Sequence, residues 1–531
     1  MNVLLFKLAG INLFLWPVLK KDFYLVINDK IRFNGRLVVA HSVKHNAVMN
    51  MLLVGSNTLV TLVTVPYVSR VLSVEGNGAV SLAQNSAAWF LTFCVIGVPA
   101  YAVRECSRAR DDREHLSKLT FELLSIIALC TVVSLIVFAF AIFVVPSFKN
   151  NSFLMWVFWI NTLISAFGVE WIYQATEQYD YIVIRSVIFK ILTLVCVLLF
   201  VRTSNDFLLY GMILAAGTCG NNVFNLLRLR TLISIPQNFS LKRLNLIQHV
   251  KPLGSFTLMS VVTSMYTSFD TVLLSSLSGN NYQTGLYQLA SKLKAFLVTA
   301  ATAAINVLVP RLSYYSKTNN EDTEYRALLK KSFSFVLFLG LVMACILWVF
   351  AKPIVIIVSS AKFIEAIPSV RIIGLVILTV AMSNVLGLLI LVPSDKEGFF
   401  AIACTVAMPV SVVLNVLLDP WIGALGASLA LLFAELTSFL MQVYFCRHTL
   451  RCIIDIADVF KTFFITCFAS IAAFFSMSFF HQNVIEQFFV GIPIFGVILL
   501  ISGFLLRQSS VRYICSTLSR YRTFFISKFR K

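Results

Sequence analysis

The stretch LTFELLSIIALCTVVSLIVFAFAIFVV, residues 119–145, is an apolar run in which Glu122 is the one charged residue. The hydrocarbon core of a bilayer is about 30 Å thick, so a helix that rises about 1.5 Å per residue crosses it with about 20 apolar residues. Similar runs recur along the chain. We predict fourteen membrane-spanning helices: Met49–Val68, Ala79–Tyr101, Leu119–Val145, Phe153–Tyr173, Tyr181–Val201, Phe207–Leu227, Leu253–Leu277, Tyr287–Val309, Phe333–Phe350, Ile372–Val392, Phe399–Leu418, Trp421–Tyr444, Val459–Phe480 and Phe488–Leu506.

The composition also indicates an integral membrane protein. Of the 531 residues, 59% are hydrophobic and 13% are charged, and the mean hydropathy is +0.86. An ordinary soluble domain is about half apolar and about a quarter charged. The predicted connections between the helices are short, so the sequence predicts an all-α membrane protein without a substantial soluble domain.

The basic residues indicate how the chain lies across the membrane. The 43 Lys and Arg residues exceed the 24 Asp and Glu residues, which gives a formal net charge of +19. In a soluble protein this excess would suggest nucleic acid, but here the basic residues lie between apolar runs, where they favour contact with anionic lipid headgroups. If the first helix starts in the cytoplasm, 33 of the 43 lie on the cytoplasmic side and 5 on the other. We therefore expect a multi-pass protein with both termini in the cytoplasm and no nucleic-acid partner.

An internal echo predicts how the helices are grouped. GAVSLAQ begins at Gly78 and GLYQLAS at Gly285, where the predicted second and eighth helices open, and Pro99 and Pro310 close those helices. A separation of six helices predicts two pseudo-symmetric six-helix lobes around a central cavity, followed by a terminal helix pair. The expected divisions are a cytoplasmic or interfacial extension (1–44), an N-lobe (45–230), a basic cytoplasmic linker (231–252), a C-lobe (253–446), the last two helices (447–506) and a basic cytoplasmic tail (507–531).

Four segments resemble one family of membrane transporters. TVPYVSRVLSVEGNGAVSLAQN (Thr64–Asn85) resembles the opening of the Wzx-type polysaccharide or O-antigen flippases of the multidrug/oligosaccharidyl-lipid/polysaccharide exporter superfamily. GVPAYAVRECSRARDDREHLSKL (Gly97–Leu119) continues the likeness with a Gly-x-Pro turn, an Arg-Glu pair and a charged loop. SFDTVLLSSLSGNNYQTGLYQLASKL (Ser268–Leu293) and VLNVLLDPWIGALGASLALLFAEL (Val413–Leu436) resemble later helix segments of the same family.

The resemblance implies a fold, a cargo and a location. It implies fourteen helices with a cavity between two lobes, and the transfer of undecaprenyl-pyrophosphate-linked oligosaccharide units across the bacterial cytoplasmic membrane. Such units supply surface polysaccharide such as O-antigen, capsule or exopolysaccharide, and the polysaccharide polymerase and chain-length machinery would be partners. Residues 1–44 have no counterpart in the family pattern, so they are either an interfacial segment or the product of a misassigned start codon.

Two lysines are the first candidates for contact with a pyrophosphate. Lys292 and Lys294 lie about 12–15 Å into the predicted eighth helix, given the helical rise. A lysine within the membrane costs about 2.5–3.5 kcal/mol on insertion scales, which favours a functional role. One of the two could instead snorkel to the interface or pair with a carboxylate.

Four further basic residues are candidates with alternatives. Lys190 lies deep in the fifth helix and is assigned to the cavity, whereas Arg185 lies nearer the cytoplasmic end, where snorkelling is an equal explanation. Arg70 closes the first helix and Arg371 opens the tenth, both on the outer side. Either could be a gate residue or an interfacial anchor.

Two deep carboxylates are candidates for coupling. Asp270 in the seventh helix and Glu435 in the twelfth could bind a proton or sodium ion, or they could be counter-charges for Lys292 or Lys294. The cysteines and histidines form no C-x-x-C or H-x-x-x-H pair, so neither a metal site nor a cofactor is predicted.

The sequence favours a transporter over an enzyme. It contains no Walker A loop, G-x-G-x-x-G, nucleophile elbow or H-E-x-x-H motif. The first alternative is a cation-coupled multidrug exporter of the same superfamily, although the deep helices carry more bases than acids. A membrane-embedded polymerase or glycosyltransferase is the second, and the short loops argue against it.

Overall fold

A computed structural model describes residues 31–33, 36–38, 43–233, 245–306, 312, 322–394, 396–478 and 484–512. Nearly all of them are helical. The helices are α1 Val43–Val71, α2 Val74–Val95, α3 Val98–Arg108, α4 Arg113–Val144, α5 Pro146–Asn150, α6 Ser152–Ala166, α7 Glu170–Ala175, α8 Tyr179–Phe200, α9 Phe207–Leu229, α10 Ile247–Ser264, α11 Asp270–Ser278, α12 Asn281–Asn306, α13 Asp322–Val349, α14 Ala351–Val358, α15 Ile367–Asn384, α16 Glu397–Ile422, α17 Ala424–Ile453, α18 Ile456–Ser478 and α19 Val484–Leu505.

Two short strands precede the first helix. β1 (Ile31–Phe33) and β2 (Arg36–Val38) pair antiparallel, with Arg32 opposite Leu37. The rest of the predicted extension, half of the basic linker (234–244), the end of the basic tail and Pro310 lie outside the described residues.

The helices identify a multi-pass membrane protein. Eleven helical segments of the described chain are long and apolar enough to cross a bilayer, or twelve if α2 and α3 form one bent span. The all-helical membrane fold predicted from the sequence is therefore confirmed. The α10–α11 segment and α12 are richer in polar residues and are outside this set, so the count of fourteen stays a prediction.

Local sequence determines where several helices begin and end. Ser73 precedes α2, and its hydroxyl accepts a hydrogen bond from the Gly76 amide at 3.0 Å. At the start of α4, the Asp112 carboxylate accepts hydrogen bonds from the backbone amides of Glu114 and His115. These side chains satisfy amides that have no partner within the helix. Gly279 ends α11 at φ +61°, a conformation that favours glycine.

The break between α2 and α3 follows the predicted Gly-x-Pro turn. The two helices are bent by 45° at Gly97, which has φ +71°, and Pro99 lies in the first turn of α3. A Cβ atom on Gly97 would lie 2.6 Å from the backbone of Phe256 in α10. Glycine is therefore needed there both for the turn and for the close packing of α10.

Two long helices contain π-helical segments. Met265–Phe269 separates α10 from α11, and Val385–Leu391 continues α15, which itself follows the 3₁₀ turn Ala361–Ala366. A π-helical turn offsets the side chains and the backbone hydrogen bonds on either side of it. α10 and α11 can therefore pack on different neighbours.

The buried apolar side chains form clusters on both sides of the contact between α2 and α12. Two clusters lie mainly in α1–α9, which we name the N-bundle, and two others mainly in α10–α17, the C-bundle. A fifth cluster joins α13 to α18 and α19, the terminal pair. The N-bundle and the C-bundle meet along α2 and α12.

Candidate functional site

The N-bundle and the C-bundle contact each other where the first turns of α2 and α12 meet, at one glycine in each helix. A Cβ on Gly78 of α2 would lie 1.8 Å from the carbonyl oxygen of Asn281, and a Cβ on Gly285 of α12 would lie 2.1 Å from that of Val74. Real Cβ atoms do not approach so closely, so α2 and α12 touch here because both positions are glycine. We name this contact the glycine seam; its two glycines open the echoed segments GAVSLAQ and GLYQLAS.

Polar contacts surround the glycine seam. Arg70 of α1 donates to the carbonyl oxygens of Ser359 at 3.1 Å and Ile357 at 2.5 Å, at the end of α14. The amides of Asn151 and Asn281 donate to each other at 3.3 and 3.0 Å. Each contact joins the two bundles at the end of α2 and α12 where the glycine seam lies.

Lys292 lies about two helical turns after Gly285 on α12, at a place where both bundles contribute side chains. It lines a small pocket with Ser69 and Asn77 of the N-bundle and with Gln288 and Phe363 of the C-bundle. No acidic group of the described chain neutralises it. The Asn77 Nδ2 atom is buried and has no hydrogen-bond partner within the described part of the chain. The pocket therefore presents donors from both bundles and a positive charge without a counter-charge.

Lys294, two residues further along α12, has a different environment. It lies within electrostatic range of Asp270 on α11 and Glu435 on α17. The three side chains come from three helices of the C-bundle. The structure therefore separates the two lysines: Lys294 faces acids, whereas Lys292 does not.

Asp270 belongs to a buried polar cluster between α11 and α16. Its Oδ1 accepts hydrogen bonds from the Ser411 hydroxyl at 3.1 Å and the Asn415 amide at 3.3 Å. Asp419, one helical turn beyond Asn415, is 1% exposed, and neither carboxylate oxygen has a hydrogen-bond partner among the described residues. Asp419 also interacts electrostatically with Asp270.

Asp419 was missed in the sequence because the predicted span ended one residue before it. Ser411, Asn415 and Asp419 follow one another at intervals of four on an otherwise apolar helix, which places them on one face. That periodic polar stripe is the signal that could have identified the cluster.

Arg185 and Lys190 of the N-bundle are not among the described residues that line the Lys292 pocket. Arg185 is 5% exposed, donates to the Glu170 carboxylate and the Asn221 side chain, both at 2.8 Å, and stacks on Tyr181. The side chain of Arg185 is enclosed, and Glu170 is its counter-charge.

Two of the remaining candidates are placed as follows. Lys190 donates to the Ser56 hydroxyl of α1 at 3.3 Å, inside the N-bundle and within electrostatic range of Glu170. Arg371 is exposed at the start of α15, and no hydrogen bond or ion pair of it is found among the described residues.

Two solved structures share this fold. The structure of "Lipid II flippase MurJ, inward closed conformation" superposes with a TM-score of 0.69 at 14% sequence identity, over 87% of this chain and 99% of that one. The inward-facing structure of a multidrug resistance MATE family transporter of the MOP superfamily gives 0.51 at 11% identity, over 74% and 99% of the two chains. At these identities the likeness concerns the fold.

Two relatives match along nearly their whole length. One, named "Putative O-antigen transporter", is from Escherichia coli (strain K12) and is 20% identical over 409 residues, which cover 77% of this chain and 97% of the relative. A protein of the same name from Shigella dysenteriae is 23% identical over 409 residues, covering 75% and 99%.

A family model described as "Polysaccharide biosynthesis protein" matches residues 43–316. The match runs from α1 through α12, and so includes the glycine seam, Lys292 and Lys294, and Asp270. It confirms the family resemblance recognised in the sequence. Since it covers more than half of the residues, the chain belongs to the Polysaccharide biosynthesis protein family.

Proposed function

We propose that this protein is a flippase that carries undecaprenyl-pyrophosphate-linked oligosaccharide units across the bacterial cytoplasmic membrane for surface polysaccharide synthesis. The polysaccharide family, the names of the two relatives and the fold shared with a lipid II flippase support this proposal. The polymerase and chain-length machinery would receive the product on the outer side.

We assign fourteen spans to the chain. The α10–α11 segment is the seventh and α12 is the eighth; both are polar because they line the path of a polar cargo. Non-apolar side chains are tolerated at membrane depth where they face protein or water. This assignment gives six membrane spans in each bundle, a terminal pair and two cytoplasmic termini.

Lys292 is the observation on which the proposal depends. Lys292 is half-buried, and a partly desolvated ammonium without a carboxylate partner among the described residues favours the arrival of an anion. The site joins both bundles, where a diphosphate could be held while the lipid tail stays in the membrane. Lys190, within the N-bundle, is assigned to the same cavity on its cytoplasmic side.

Closure of the outer end supports an alternating-access mechanism. The glycine seam and the Arg70 contacts block the outer exit, so in this conformation cargo enters from the cytoplasm. Release then requires α2 and α12 to separate, with the bonds of Arg70 to the end of α14 broken. Arg371, exposed at the same end, is assigned to the interface or to the exit.

The carboxylates of the C-bundle are assigned to energy coupling. Within the described ranges, Asp270, Asp419 and Glu435 outnumber the one nearby cation, Lys294, and the carboxylate oxygens of Asp419 lack donors. A proton or a sodium ion would offset this excess of negative charge. Binding of that cation would change the balance on Lys294 and thereby link coupling to α12.

Replacement of Lys292 tests the cargo proposal. Lys292→Ala is expected to abolish surface polysaccharide in a host lacking its own flippase, while Lys292→Arg restores part of it, because the arginine keeps the positive charge. Surface polymer is measured by gel electrophoresis of extracted polysaccharide. The double variant Lys292→Ala, Lys294→Ala should be equally inactive.

Lys352→Ala, at the outer end away from the seam, is the matched control and should behave as wild type. Membrane content of each variant is measured in parallel. Normal polymer with Lys292→Ala would exclude the cationic-site proposal, and drug efflux by that variant would favour the exporter alternative.

A further inference from the structure

A cavity of about 680 Å³ lies away from the glycine seam, where the C-bundle meets the terminal pair. The first turns of α13 and α18, the end of α17 and the turn after α19 surround it. None of its described lining residues belongs to α2 or α12. Its volume is in the range of small-molecule sites, about 300–1,000 Å³. The charge distribution assigns this end of the helices to the cytoplasmic leaflet.

The acidic groups around the cavity are already used by the protein. Asp458 of α18 accepts hydrogen bonds from the Ser334 hydroxyl of α13 and from the amide and hydroxyl of Ser509, at 3.1 and 2.9 Å. A carboxylate with three donors has little capacity left for a cation. Asp458 therefore holds the turn after α19 against α13 and shapes the wall.

One of the two lysines at the rim has no acidic partner among the described residues. Lys330 donates to Asp455 at 3.0 Å, and this hydrogen bond lowers the pKa of the Asp455 carboxyl. Lys331 is exposed, and no ion pair of it is found among the described residues. Asp455 is paired with Lys330, and the carboxylate of Asp458 is enclosed by its three donors, so Lys331 is the lysine of the described rim that is available to an anion.

The inner wall is mainly apolar. Phe333, Phe335 and Leu337 of α13 face Ile453 and Val459 across the space. An inorganic phosphate could contact Lys331 but would leave this wall uncovered. A molecule with an anionic head and a hydrocarbon chain matches both parts, since the chain removes apolar surface from water.

We propose that this cavity binds one anionic phospholipid of the cytoplasmic leaflet. Its phosphate is held at Lys331 and one acyl chain lies against the phenylalanines of α13. The bound lipid fills the joint between the C-bundle and the terminal pair. The proposal is independent of the cargo site, because it involves neither Lys292 nor the seam.

Lipid retention tests the proposal. The full chain is purified in a neutral detergent, delipidated and titrated with phosphatidylglycerol or with phosphatidylcholine of the same acyl chains. Bound lipid is counted by native mass spectrometry. We expect one tightly held phosphatidylglycerol per chain, and about tenfold weaker binding to Lys331→Gln, as for loss of one charge-assisted hydrogen bond. Ala327→Trp, which places a large ring at the cavity wall, should also abolish retention.

Lys118→Gln is the matched control, because Lys118 is an exposed basic residue at the cytoplasmic end of α4. It should bind phosphatidylglycerol as the wild type does. Equal retention by Lys331→Gln and Lys118→Gln would overturn the proposal. So would equal binding of phosphatidylcholine, which would indicate a chain-binding groove without an anion site.

Discussion

At the scale of single residues, the glycine seam gives the sharpest steric prediction. Gly285→Ala introduces a Cβ 2.1 Å from the Val74 carbonyl oxygen, so α2 and α12 must move apart. Such overpacking destabilises a protein by about 1–3 kcal/mol. We expect a lower midpoint of thermal unfolding in detergent and reduced surface polysaccharide in cells.

Gly254→Ala is the control for this substitution. Gly254 lies in α10, and no atom lies within 4 Å of the added Cβ. Alanine there should leave the stability unchanged or raise it, because alanine has a higher helix propensity than glycine. If both variants unfolded at the same temperature, the close approach of α2 and α12 would not restrict position 285 to glycine.

The candidate residues differ in how far sequence could place them. The predicted depth in the helix identified both Lys292 and Lys294. Because they are two residues apart, their side chains lie on different sides of α12, and only Lys294 is near acidic residues. The partner of Arg185 is Glu170, on the preceding helix. The spacing of residues along the chain does not determine which helices face each other, so these pairings could not be predicted from the sequence.

At the scale of elements, α10 is attached to the N-bundle by a buried network. Glu122 of α4 accepts hydrogen bonds from His249 at 3.0 Å, from Gln248 at 3.1 Å and from the Asn245 amide at 3.0 Å. His249 also bonds to the Tyr101 hydroxyl at 2.9 Å. Glu122 is 2% exposed, so water has little access to take the place of its carboxylate as the acceptor for these donors.

Glu122→Ala should therefore release the start of α10. Loss of a buried acceptor leaves its donors unsatisfied, at a cost of about 1–3 kcal/mol. Hydrogen exchange of residues 245–264 should become faster, as measured by mass spectrometry. Glu114→Ala, at an exposed position on the same helix, should leave exchange unchanged; faster exchange in that control would mean that the network does not hold α10.

The elements themselves were largely predictable. Each predicted apolar run overlaps a described helix or helix pair, because runs of that length have few alternatives in lipid. The Gly97 turn was also visible in the sequence. The π-helical segment Met265–Phe269 was not, because it depends on α10 packing on the N-bundle while α11 packs on α16.

At the scale of the whole molecule, transport requires the outer end to open. Cysteines at Asn151 and Asn281, whose amides now bond to each other, should form a cross-link between the bundles in a cysteine-depleted background. Oxidation should then block polysaccharide export, and a reductant should restore it. Polymer at the cell surface is the readout.

Each single cysteine variant is the control and should be unaffected by oxidant. Continued export by the cross-linked double variant would mean that the bundles do not separate at this end. The grouping into two bundles was predicted from the echo of GAVSLAQ in GLYQLAS, but the meeting of those segments was not, because similarity between repeats does not reveal their contact.

The glycine seam also determines the order in which water enters from outside. Gly285 lies seven residues before Lys292 on α12, about 10 Å nearer the exterior. As the helices part, solvent first hydrates the carbonyl oxygens of Val74 and Asn281, and only later reaches the ammonium. In the proposed cycle, solvent from the outside therefore reaches the seam before it reaches a diphosphate held at Lys292.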